Sequence, residues 1–126
     1  MKREIDIGKS EYISETERWK KSLYSFLQEN ALLKTKLAKV LDDSNSKNLL
    51  AQAEDFQNLF VLKDEFIKEL YNDISAQQAV LKKYDILNNS VLLHQQKLRN
   101  EMHHFEKNFS GLRTGFTKFL SNAFQD

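Results

Sequence analysis

Apolar residues return at alternating intervals of three and four from Tyr12 to Leu41. Tyr12, Trp19, Phe26, Leu33 and Val40 fill one heptad position, and Leu23 and Leu37 fill its partner. That spacing is the seam of a coiled-coil helix. Trp19 falls at a d position, which suits a buried anchor. Asn30 falls at an a position, where a polar side chain fixes register and strand number at some cost in stability. Ser14 and Glu17 have the spacing of a capping box, and Ser10 is an equal alternative start, so a first helix is expected over about 11–41.

Asp42-Asp43-Ser44-Asn45-Ser46 is a short polar run of residues that favour turns and N-caps over helix interiors. It predicts a reversal into an antiparallel partner, a helical hairpin. A second seam follows and keeps phase to the end of the chain. Leu49, Phe56, Leu70, Tyr84, Val91, Leu98, Phe105, Leu112 and Phe119 take d, while Ala53, Phe60, Ile67, Ile74, Leu81, Met102, Phe109 and Phe116 take a. Its polar interruptions are Lys63, Gln77, Asn88 and Gln95. With Asn30, the residues Gln77, Asn88 and Gln95 are candidates for setting register.

Asn88-Asn89-Ser90 carries turn chemistry, yet the heptad crosses it in step. Two architectures follow, both all-α. In one, helix 2 (about 47–87) and helix 3 (about 91–122) fold back with helix 1 as a three-helix bundle. In the other they form one continuous helix of roughly 110 Å, at 1.5 Å per residue, in an elongated coiled-coil hairpin that needs a second chain. The flanks broaden the seam with Leu50, Leu59, Phe66, Tyr71, Val80, Leu87 and Leu92. From His94 to Lys118 it narrows to a and d, as in a two-stranded coil. Charge favours antiparallel pairing: residues 42–76 hold eight acidic residues against three lysines, while 90–122 hold five basic against two acidic. Either architecture makes residues 1–126 one helical unit.

Composition sharpens the fold and removes chemistry. There is no proline, and three glycines are too few for the turns of a β fold. The formal charge of +1 gives no global pull toward nucleic acid or an anionic membrane. Lys20, Lys21, Lys34, Lys36 and Lys39 lack a base-reading motif, so only non-specific, salt-sensitive contact with nucleic acid is expected. The absence of cysteine removes thiol chemistry and suits a reducing compartment, with the cytoplasm expected. Met1 to Ser14 has no apolar run of signal-peptide length, and no apolar stretch is long enough to span a bilayer.

Glu101-Met102-His103-His104 contains the Glu-x-x-His of di-iron bundles, but once only, and the heptad turns His103 and His104 to solvent. His94 lies on the seam flank with no carboxylate near it on its own face. No serine or threonine has a nucleophile elbow, and no glycine-rich phosphate loop exists. Gly111 and Gly115 predict a loosened C-terminal helix. No catalytic residue, metal site or cofactor is expected.

The aromatic face of the last helix is the candidate binding surface. Phe105, Phe109, Leu112, Phe116 and Phe119, with Leu120 and Phe124, lie opposite Lys107, Arg113 and Lys118. They serve either as core or as a docking face for a partner groove or a membrane interface. The sequence thus predicts a non-enzymatic coiled-coil scaffold or adaptor that binds a protein partner or itself, most simply as a homodimer. The alternative is a peripheral membrane-binding protein acting through that face.

Overall fold

The computed structural model describes the backbone of residues 2–123 and the side chains of residues 8–123; Phe124 lies outside the described residues. Three helices account for the described fold: α1 (Lys2–Asp43), α2 (Lys47–Lys83) and α3 (Asn89–Ala123). Helix α1 begins well before the expected residue 11, so neither Ser10 nor Ser14 is its cap. The segment ahead of them is rich in Lys, Arg, Glu and Ile, and Gly8 costs a helix only about 1 kcal/mol against alanine.

The first reversal lies where the polar run predicts it. The Ser44 amide donates to the Val40 carbonyl at 3.1 Å and ends α1. Ser46 is the N-cap of α2, its hydroxyl accepting the Leu49 amide at 3.3 Å. Capping of this kind contributes about 1 kcal/mol relative to alanine.

A second reversal, over 84–88, separates α2 from α3, so the continuous long helix is not formed. Tyr84 ends α2 in an extended conformation, its amide donating to Val80 O at 3.2 Å. Assigned to the d seam by the heptad, it is instead 52 % exposed. Asn88, expected as a register residue inside the seam, is exposed, and its side-chain oxygen accepts the Val91 amide at 3.0 Å as a cap for α3. Its turn chemistry outweighs the uninterrupted heptad because folding back lets α3 bury its seam within the same chain.

The core takes a and d residues from every helix. Leu23, Leu33, Leu37 and Val40 come from α1; Phe60, Ile67, Leu70 and Ile74 from α2; Leu98, Met102, Phe105, Phe109, Phe116 and Phe119 from α3. Trp19 is buried with them, as its d position predicts. Helices α1 and α2 approach each other most closely, while α3, carrying the larger rings, sits in the groove they form. Its phenylalanines meet those of the other helices edge to face: Phe60 and Phe116 centroids are 5.0 Å apart at 89°, and Phe26 and Phe105 are 5.2 Å apart at 81°. Such pairs add about 0.5–1.5 kcal/mol each beyond burial.

Helices α1 and α3 run parallel, in a register marked by two charge clamps. Arg99 grips Glu15 through both Nε and Nη2 at 2.7 Å, and Arg113 grips Glu29 in the same way, with Nη2 at 2.7 Å. Both pairs are separated by 84 residues. The charge imbalance between α2 and α3 therefore accompanies a fold-back without being neutralised by it, because the α3 arginines pair with α1.

Candidate functional site

The aromatic face expected to dock a partner is closed. Phe105, Phe109, Phe116 and Phe119 are each at most 5 % exposed, and Leu112 is half-buried beside them. Phe26 of α1 lies against Phe105 and Phe109, and Phe56 of α2 against Phe116 and Phe119. Use of this face by a partner or a membrane would require α3 to leave the bundle. Gly111 and Gly115 lie within an unbroken helix, and a Cβ at either would meet nothing within 4 Å.

Three of the four register candidates are buried at helix contacts. Asn30 donates through Nδ2 to the Phe60 carbonyl and to Asp64, each at 2.8 Å, while its Oδ1 has no partner. Lys34 also pairs with Asp64. Gln77 donates to the Val91 carbonyl and to Gln95 Oε1, both at 3.0 Å. Gln95 passes the chain on, donating to Glu15 at 2.9 Å and to Tyr12 O at 3.3 Å. Asn88, the fourth, is a cap.

The result is a polar layer through all three helices, Gln77 to Gln95 to Glu15 to Arg99. Nearby, Lys20 donates to Gln78, which donates to Glu17. Burial pushes the Glu15 carboxyl up, but the bonds from Arg99 and Gln95, with the Arg99 charge, outweigh it and hold the group below its ordinary value. Asp64 follows the same balance: burial raises it, and Lys34 and Asn30 bring it down further. Seam positions alone do not reveal Glu15, Thr16 or Gln78. One signal for the clamps was present: Glu15 and Glu29 have the same separation as Arg99 and Arg113.

His103 and His104 are exposed, as the heptad places them. His94 does meet a carboxylate, but across helices: Nε2 lies 3.0 Å from Asp73 of α2. Among the described residues no three His, Asp or Glu side chains gather as a metal-binding group.

Apolar side chains left outside the core gather in three places. Between α1 and α2 a cavity of about 350 Å³ is walled by Leu23, Tyr24, Leu27, Ile67 and Tyr71. A second cavity, lined by Lys20, Lys21 and Ser25, continues it and shares both tyrosines. Tyr24 is 60 % exposed, and the Lys20 ammonium lies 5.2 Å from the Tyr71 ring centre. Along α2, on the side facing α3, Leu59, Leu62 and Phe66 form an exposed ridge at i, i+3 and i+7. At the second reversal Tyr84, Ile86 and Leu93 are exposed.

The described residues thus define an all-α three-helix bundle with a complete core, a buried polar layer and apolar grooves between its helices. No family model, curated protein or solved structure matches the chain.

Proposed function

We propose that this protein is a non-enzymatic scaffold or adaptor of the coiled-coil type, acting in the cytoplasm, that seats a helical segment of a protein partner in the groove between α1 and α2. The observation that carries this is the Tyr24, Leu27, Tyr71 groove. The core beneath it is already filled, yet two rings stand at its mouth, flanked by Lys20, Lys21 and Lys68. Tyrosine gives a large, stiff contact area with a polar tip, and such residues dominate interface energetics when a partner covers them. An amphipathic helix laid in the groove would place anchors at i and i+3 or i+4 into it, with acidic residues toward the lysines.

A photo-crosslinking residue in place of Tyr24, irradiated in cells and read by mass spectrometry, tests the proposal. A discrete protein adduct that disappears when Tyr71→Ser is added is expected. If no adduct forms, or if it is indifferent to Tyr71→Ser, the groove is not a docking site.

A further inference from the structure

We infer that the α2/α3 face is covered by a second copy of this chain, in a dimer whose two-fold axis runs parallel to the helices. The face is distinct from the α1/α2 groove. Its ridge is Leu59, Leu62 and Phe66, with Leu62 58 % exposed, while Phe66 stacks on Phe105 at 5.6 Å. Beside it runs the open side of α3, where His104 and Gly111 are exposed and a Cβ at Gly111 would meet nothing.

The charges on this face say what covers it. On the α2 edge Asp55 and Glu69 are exposed and, among the described residues, take part in no ion pair. On the α3 edge, among the described residues, Lys118 takes part in no ion pair and Lys97 reaches only Glu101 of its own helix, at 3.8 Å. Apart from Lys63, which lies 5.8 Å from the Phe105 ring centre, and Glu101, the α2 edge is thus acidic and the α3 edge basic, while Arg99 and Arg113 are engaged with α1.

A two-fold rotation about an axis along the helices lays each α2 on the α3 of the other copy, antiparallel, acid against base. Levels along the face follow from the Asp73 to His94 contact. One turn from it Glu69 and Lys97 share a height, and farther along Leu62 shares a height with His104. The rotation preserves these heights, so it brings Glu69 opposite Lys97 and Leu62 opposite His104 of the second copy. Such an interface is isologous, as a closed dimer requires. Two neighbouring helices over about 30 residues present roughly 45 Å by 20 Å, about 900 Å², which meets the roughly 800 Å² per partner of a stable interface.

Sedimentation equilibrium and light scattering on the full chain test this. The wild type is expected at twice its 14.8 kDa. Leu62→Glu is expected to weaken the dimer at least about tenfold while leaving helicity unchanged. Glu69→Lys is expected to weaken it, and Glu69→Lys with Lys97→Glu to restore it. The chain lacks cysteine, so single-cysteine variants report geometry cleanly. Leu62→Cys mixed with His104→Cys is expected to give a mixed disulfide, and Leu62→Cys alone no cross-linked dimer. A wild-type monomer at 0.1 mM and above (roughly a hundredfold over a micromolar Kd), a dimer indifferent to Leu62→Glu, or efficient self-cross-linking of Leu62→Cys would each overturn the proposal. The Tyr24→Ser, Tyr71→Ser double variant is expected to dimerise normally, which separates this face from the α1/α2 groove; loss of the dimer there would also overturn the assignment.

Discussion

The two ends of the bundle are built from opposite materials. Near the first reversal the space between helices is filled by Phe56, Phe60, Phe116 and Phe119 with Leu37 and Val40. Toward the second reversal the corresponding positions hold Thr16, Gln77, Gln78 and Gln95, with Gln77 and Gln95 linked to Glu15 and Arg99 and Gln78 to Glu17. Rings supply magnitude, since burial is favourable wherever they pack, but they tolerate displacement. Amides supply alignment, since a buried amide one turn out of place loses its partners and incurs the desolvation cost. Stability should therefore reside at the aromatic end and register at the glutamine end.

Phe60→Ala should break the aromatic end and gives the largest effect expected, a loss of about 3–5 kcal/mol in urea unfolding, because the side chain is fully buried and meets Phe116 edge to face. Gln95→Ala should cost about 1–3 kcal/mol, as it leaves Gln77 with the Val91 carbonyl alone and weakens the hold on Glu15. Replacing Gln77 and Gln95 together by leucine should recover most of that loss in the same measurement, which a purely steric role for Gln95 would not allow.

Acid should act through two carboxyls, Glu15 in the glutamine layer and Asp64 beside Asn30. Both sit below their ordinary values of 4.5 and 3.8 in the folded chain, so the unfolded chain takes up protons more readily. Their contribution is complete above the ordinary values and is lost as pH falls through the lowered folded ones. The melting temperature should hold down to about pH 5 and decline below it, and Glu15→Gln should flatten part of that decline. Asn30→Leu should give the smallest change, a gain of up to about 1 kcal/mol in thermal melting. It removes an oxygen buried without a partner, and Lys34 still holds Asp64.

Helix type, the first reversal and nearly every core residue were legible because each rests on local pattern: period, caps and turn residues. The second reversal was legible only as an alternative. Asn88 argued for it and the heptad against it, and burial of the α3 seam against α1 and α2, a long-range gain, favours the turn. The aromatic face was legible as core or as docking surface for a related reason. A face of phenylalanines has the same periodicity whether a neighbour is another protein or the chain's own α1, and periodicity does not record which. The His94 partner and the glutamine layer bring together residues 18 to 84 positions apart, and only the fold-back defines those pairs.

The two arginine clamps also act as an error check on assembly. Glu15 and Glu29 on α1 are two heptads apart, as are Arg99 and Arg113 on α3, and midway between the arginines lies Glu106, opposite small Ser22 when the register is right. Slide α3 by one heptad in either direction and a glutamate of α1, Glu15 one way and Glu29 the other, comes to face Glu106, while Ser22 faces an arginine. A slip that would leave the apolar seam intact thus exchanges two attractions for a repulsion.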